Sequence, residues 1–99
     1  MNQQLAESLI RAAFGQNGTP KEMGQNIVVL DRGFVYVGDV CDEGDYVIIR
    51  NARNIRVWGT TAGLGELRNG PLANTKLDIV GEVKAAKHSL QHFIPCKGF

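Results

Sequence analysis

Cysteine is scarce in this chain, and the two present, Cys41 and Cys96, match neither a disulfide-rich framework nor a zinc-binding spacing. A covalently stapled scaffold is therefore not expected, and both are read as reduced, buried thiols. Long apolar runs are also lacking, since none approaches the roughly 20 residues of a membrane-spanning helix. The opening residues Met1 to Glu7 have neither the basic start nor the apolar core of a signal peptide, so the expectation is a cytoplasmic protein. An excess of one charge is missing too. The 11 basic and 10 acidic residues leave a formal net charge of +1, which exerts no long-range pull toward nucleic acid or anionic lipid. Aromatic residues are few, with a single tryptophan, Trp58.

What is present suits one folded unit. Apolar residues make up 43% of the 99 and charged residues 21%, unlike the signature of disorder, and the length leaves no room for two self-supporting cores. Leu5, Leu9, Ile10 and Phe14 recur at helical spacing, and Glu7 with Arg11 forms a pair four apart, which predicts an amphipathic helix over Asn2 to Phe14. Gly15 to Pro20 ends it, and Thr19 is placed to cap a short turn over Pro20 to Met23. A helix on such a tether, presenting Leu5, Leu9, Ile10 and Phe14, is expected to pack on a second copy.

Beyond it the pattern changes to short β-branched runs. Ile27 to Leu30 and Phe34 to Val37 read as strands joined by Asp31-Arg32-Gly33; Asp42 to Asp45 is the next turn and Tyr46 to Arg50 the next strand. A polar step, Asn51 to Asn54, precedes Ile55 to Trp58, where alternation predicts Arg56 and Trp58 on one outer face if Ile55 and Val57 point inward. A helical turn is predicted through Gly63 to Leu67, capped by Thr60 or Thr61 and stopped by Asn69-Gly70-Pro71. Lys76 to Val83 alternates, with Leu77, Ile79 and Gly81 on one side. His88 to Cys96 fits strand or helix, and Phe93 and Ile94 are expected to close the core. The fold class is α+β: a helical extension over 1–24 and a small, mostly antiparallel sheet or barrel-like domain over 25–99.

Motifs that would carry chemistry fail in their details. Gly63-Leu64-Gly65-Glu66-Leu67-Arg68 has Arg68 where a dinucleotide fingerprint needs its third glycine. The acidic stretch from Asp39 has Cys41 at the third position of a calcium loop and Arg50 at the twelfth, where a bidentate glutamate is required. His88, His92 and Cys96 are spaced four apart but have no second cluster or adjacent carboxylate to complete a zinc site. Neither cysteine has a local setting that suggests activation, and Ser8 and Ser89 lack the glycines of a nucleophile elbow. No metal, cofactor or enzymatic activity is expected.

What remains is charge segregation. Asp39, Asp42, Glu43 and Asp45 crowd one stretch, and Arg50, Arg53, Arg56 and Arg68 follow against only Glu66. Arg50, Asn51, Arg53, Arg56 and Trp58, with Tyr36 on a neighbouring strand, form the candidate binding set, a mixture that suits protein hot spots and equally suits stacking a base and gripping phosphate.

The segment Val47 to Trp58, followed by Gly63-Leu64-Gly65-Glu66-Leu67, resembles a family of small uncharacterised proteins of bacteriophages and mobile elements. Val35-Tyr36-Val37-Gly38 and the Ile94-Pro95-Cys96 ending match that family's pattern as well. The resemblance covers about Gly33 to Cys96 and implies a viral or prophage accessory protein. The leading expectation is a self-associating, non-enzymatic inhibitor that binds a host defence protein in the manner of an anti-CRISPR. The alternatives are an oligomeric sponge for a nucleotide immune signal and, third, a nucleic-acid binder, disfavoured by the near-zero net charge.

Overall fold

In the computed structural model, which describes residues 21–99, the apolar run Ile27 to Leu30 ends a ten-residue strand, β1 (Lys21–Leu30). Asp31–Gly33 makes a 3-10 turn, with Arg32 and Gly33 at φ +67° and +79° and the Leu30 N–H donating to the Phe34 carbonyl at 2.8 Å. The chain returns as β2 (Val35–Glu43). Gly44, at φ +72°, supplies the left-handed conformation that a two-residue hairpin needs, and β3 (Tyr46–Val57) follows. A loop with a 3-10 turn at Leu64–Asn69 leads to β4 (Lys76–Ala86), and a second short turn, Lys87–Ser89, to β5 (Leu90–Pro95). All pairings are antiparallel, in the order β4-β3-β2-β1-β5.

This order forces curvature. Ala86 is paired with Tyr46 at one end of the sheet, and Leu90 with Leu30 at the other. In a flat sheet those points would lie roughly 30 Å apart along the strands, whereas the short link between them reaches about half that distance. The sheet must coil until the start of β5 comes round toward the end of β4. It remains open, because β4 and β5 are its two edges.

Coiling lets both faces of the sheet carry a core. Val28, Leu30, Val40, Val47, Ile49 and Ala52 form one cluster; Ile27, Val35, Val37, Ile55 and Leu67 form the other. Neighbours Ile27 and Val28 are both fully buried, on opposite faces. Phe93 packs against the first cluster and Ile94 against the second, so both contribute to closing the interior as expected. Burying each such side chain stabilises the fold by about 1.5–3 kcal/mol before conformational entropy is counted.

Four expectations need revision. Lys21 to Met23 is strand and not a capped turn, with Lys21 opposite Asp42, so residues 21–24 belong to the sheet and not to a helical extension. Asn51 to Asn54 is not a gap between strands but part of one continuous β3. Asn51 adopts φ +54° in a bulge between Ile49 and Ala52, and the glycine opposite, Gly38, leaves room for it. Cys96, expected to be buried, is half-buried, whereas Cys41 is fully buried within β2. The Lys76 to Val83 alternation breaks after Ile79, where β4 bulges beside Gly81 at φ +106° between the partners of Arg53 and Ala52, and Ile79 itself is 89% exposed. The helix over Asn2 to Phe14, with Leu5, Leu9, Ile10 and Phe14, lies outside the described residues. Among the described residues there is no α-helix, and no helix long and apolar enough to cross a membrane.

Candidate functional site

The six candidate binding residues do not gather on one face. Directly opposed residues of paired strands share a side, and Tyr36 faces Asn54, which faces Asp78. Arg56, two residues beyond Asn54, lies on that side too, and its Nε donates to Asp78 Oδ2 at 2.8 Å. Arg53 faces the other way. It is opposite Val37, its Nη1 donates to the Phe99 backbone oxygen at 2.9 Å, and its guanidinium lies 5.9 Å from the centre of the Phe99 ring. Arg50, on the far side of the β3 bulge, bonds Glu22 Oε2 at 3.1 Å, while Asn51 donates to Asp39 Oδ2 at 3.1 Å. The arginines thus pair with Glu22 and Asp78, outside the acidic stretch seen in the sequence, whose Asp39 bonds Asn51 instead. Exposed pairs of this kind add little stability, but they place a compensating carboxylate beside Arg50 and Arg56.

Trp58 follows the end of β3 and is 41% exposed. Its backbone is fixed: the Thr75 hydroxyl donates to the Trp58 carbonyl at 2.7 Å and accepts from the Leu72 N–H at 2.8 Å. Gly59, at φ +71°, lets Asn74 approach so closely that a Cβ there would lie 2.5 Å from the Asn74 carbonyl carbon. Trp58 is therefore carried on a defined frame. Val57 and Leu72 are exposed beside this frame, and Ile79 and Val80 stand exposed farther along β4. Val80 is the extra residue of the β4 bulge, between Ile79 and Gly81, so the two exposed side chains stand together where this edge strand leaves the regular ladder. The sequence signal for this edge was Gly81 in a strand interior.

The loop beneath is organised by Glu66. Its carboxylate accepts from the backbone N–H groups of Thr61, Ala62 and Gly63 and from the Thr61 hydroxyl. These bonds, the one from Ala62 foremost, hold the Glu66 carboxyl below its ordinary value. A depressed folded-state pKa means that its contribution is present above the ordinary glutamate value and is lost as pH falls through the lowered one. Acid titration followed by amide exchange at Ala62 and Gly63 should show these protons losing protection in the acid range. A Glu66→Gln variant should show weak protection at all pH values, and an unchanged acid profile in that variant would refute the assignment. An open groove follows the same turn, lined by Ala62, Glu66, Arg68 and Leu72 among others.

The remaining candidates stay apart. His88 lies in the turn before β5 and His92 within β5, and among the described residues no group of three His, Cys, Asp or Glu is arranged to hold a metal ion. Burial pushes the Cys96 thiol up to about 11, against the smaller opposing pull of Arg53, which keeps it protonated near neutral pH. Comparison with known proteins returned no matching family model, no matching curated protein and no matching solved structure.

Proposed function

We propose that this chain is a non-enzymatic accessory protein of a bacteriophage or mobile element that disables a host defence component by direct protein contact. In this reading it is a partly open barrel that acts in the host cytoplasm, contacts its target through the β3–β4 edge, and self-associates through Leu5, Leu9, Ile10 and Phe14.

One contrast carries the choice of protein over nucleotide. The guanidinium groups of Arg50, Arg53 and Arg56 are engaged within the chain, whereas Val57, Trp58, Ile79 and Val80 are left exposed. A phosphate site needs several uncompensated cations converging on one point, whereas Arg50 and Arg56 carry carboxylate partners and Arg53 faces the other side of the sheet; a protein interface needs apolar and aromatic anchors with a polar rim, and the Arg56–Asp78 pair provides such a rim beside Trp58.

The test is plating efficiency of a restricted phage on defence-bearing hosts that express the protein. Where expression restores plating, Trp58→Ala with Ile79→Lys should abolish the effect while leaving the thermal melt intact. Each anchor is expected to weaken target binding by roughly 30-fold, the loss for truncating a hot spot of about 2 kcal/mol. Undiminished plating with the double variant would remove the edge from this role. Native mass spectra showing a retained compound of nucleotide mass would favour the sponge instead.

A further inference from the structure

Beyond the end of β5 the chain runs over the second core cluster and is held there by four hydrogen bonds to its backbone and a weak one from Cys96 Sγ to Gln25 Oε1 at 3.9 Å. The Cys96 N–H donates to the Gln25 carbonyl at 3.0 Å, and the Lys97 N–H to the Arg68 carbonyl at 3.0 Å. The Phe99 N–H donates to Gln25 Oε1 at 3.1 Å, and the Phe99 backbone oxygen accepts from Arg53 Nη1 at 2.9 Å. β1, β3 and the 3-10 turn at Leu64–Asn69 therefore supply one seat. All of them but the thiol bond go to a backbone atom of the strap. Recognition of main chain, with side chains read separately, is how a groove accepts an extended peptide.

Two features of the seat are selective. Gly98 adopts φ +87°, and a Cβ on it would lie 2.6 Å from the Asn69 carbonyl oxygen, so only glycine fits. One residue on, Arg53 lies over the Phe99 ring, a cation–π arrangement that favours an aromatic side chain. Lys97 and Gly98 are exposed, so the strap lies on the surface and its withdrawal would leave the strand ladders in place.

We propose that this seat is a groove for an extended peptide with a glycine–aromatic step, and that residues 97–99 are its built-in competitor. A segment tethered beside its own seat is present at high effective concentration, so a peptide in trans meets a groove that is mostly filled. The seat adjoins the β3–β4 edge, since Arg53 is the cross-strand partner of Ile79, but the two roles are tested separately: Gly98→Ala changes the seat and leaves Trp58 and Ile79 in place.

The test compares wild type with Gly98→Ala, which cannot seat the strap, using an N-acetylated synthetic peptide of residues 97–99 with a carboxamide end. Binding is followed by NMR at the Gln25 side-chain amide and the Arg53 Nε–H. Release of the strap should raise the apparent affinity for the peptide by about tenfold or more. Adding Arg53→Ala to Gly98→Ala should remove the gain. Equal affinity for wild type and Gly98→Ala, or binding that leaves the Gln25 and Arg53 signals unmoved, would overturn the proposal. If Gly98→Ala loses its fold, Phe99→Ala, which removes only the ring, takes its place: tighter peptide binding than wild type supports the proposal, and equal binding overturns it.

Discussion

Leu67→Ala is expected to lower the melting temperature by roughly 15 °C, from a loss of about 3 kcal/mol in a domain of this size. Leu67 is fully buried and is the buried residue of its 3-10 turn, where it packs with Ile27, Val35, Val37 and Ile55. It is thus the pin that holds the long β3–β4 loop to the sheet. Truncation leaves a cavity that the strands, locked by their ladders, cannot collapse to fill. Amide exchange should localise the damage, since the Glu66 and Gly70 N–H groups, bonded to the carbonyls of Gly63 and Leu67, open first. Leu67→Met, which roughly conserves volume, should cost less than about 1.5 kcal/mol. A Leu67→Ala melt within a degree of wild type would mean that the loop is not held this way.

Gly38→Ala should destabilise by about 1–3 kcal/mol, the range for forcing an extra methyl into a packed interior. The obstacle here is space and not backbone conformation. A Cβ on Gly38 would lie 2.6 Å from the Arg50 carbonyl oxygen, 2.7 Å from Ile49 Cγ2 and 3.2 Å from the Ala52 Cα. Ile49 is fully buried and the carbonyl belongs to the bulged β3, so neither neighbour yields cheaply. Ile49→Leu, which lacks the γ2 methyl, should recover part of the loss in the Gly38→Ala background but not all of it, because the carbonyl contact remains. Chemical denaturation of the two single variants and the double variant gives the coupling. Additive losses would show that Gly38 and Ile49 do not compete for the same space.

The strands were legible wherever local chemistry decides. Ile27 to Leu30, the turn at Asp31-Arg32-Gly33, the hairpin at Gly44 and the short turn from Leu64 were all readable, because β-branched runs and glycine punctuation act over a few residues. Three things were not legible, each for a reason beyond local sequence. Asn51 looked like a break because a polar residue at positive φ reads as a turn, and only the facing Gly38 makes it a bulge. Leu77, Ile79 and Gly81 looked like one face because alternation takes the strand to be regular, and the bulge between Ile79 and Gly81 breaks it. Ala86 and Leu90 pair at opposite ends of the sheet, which no periodicity reveals. The candidate site fared likewise. Composition identified arginines and a tryptophan, but parity and bulges decide which share a face, and the partners Glu22, Asp78 and Phe99 come from distant parts of the chain. Gln25 and the strap gave no signal at all, since one glutamine and a Lys-Gly-Phe sequence are ordinary until folding brings them together.

The place of β5 beside β1 sets the order in which the protein can be made. As the chain leaves the ribosome, β1 to β4 can pair hairpin by hairpin through nearest neighbours. Ile27, Val28 and Val29, however, must wait for Ile94, Phe93 and His92, more than sixty residues downstream. Until then β1 is an apolar strand with one edge open, the kind of edge that recruits other chains. The final pairing closes the longest loop of the fold and is the natural candidate for its slow step. A nascent chain halted before Leu90 would therefore be the most aggregation-prone form of this protein.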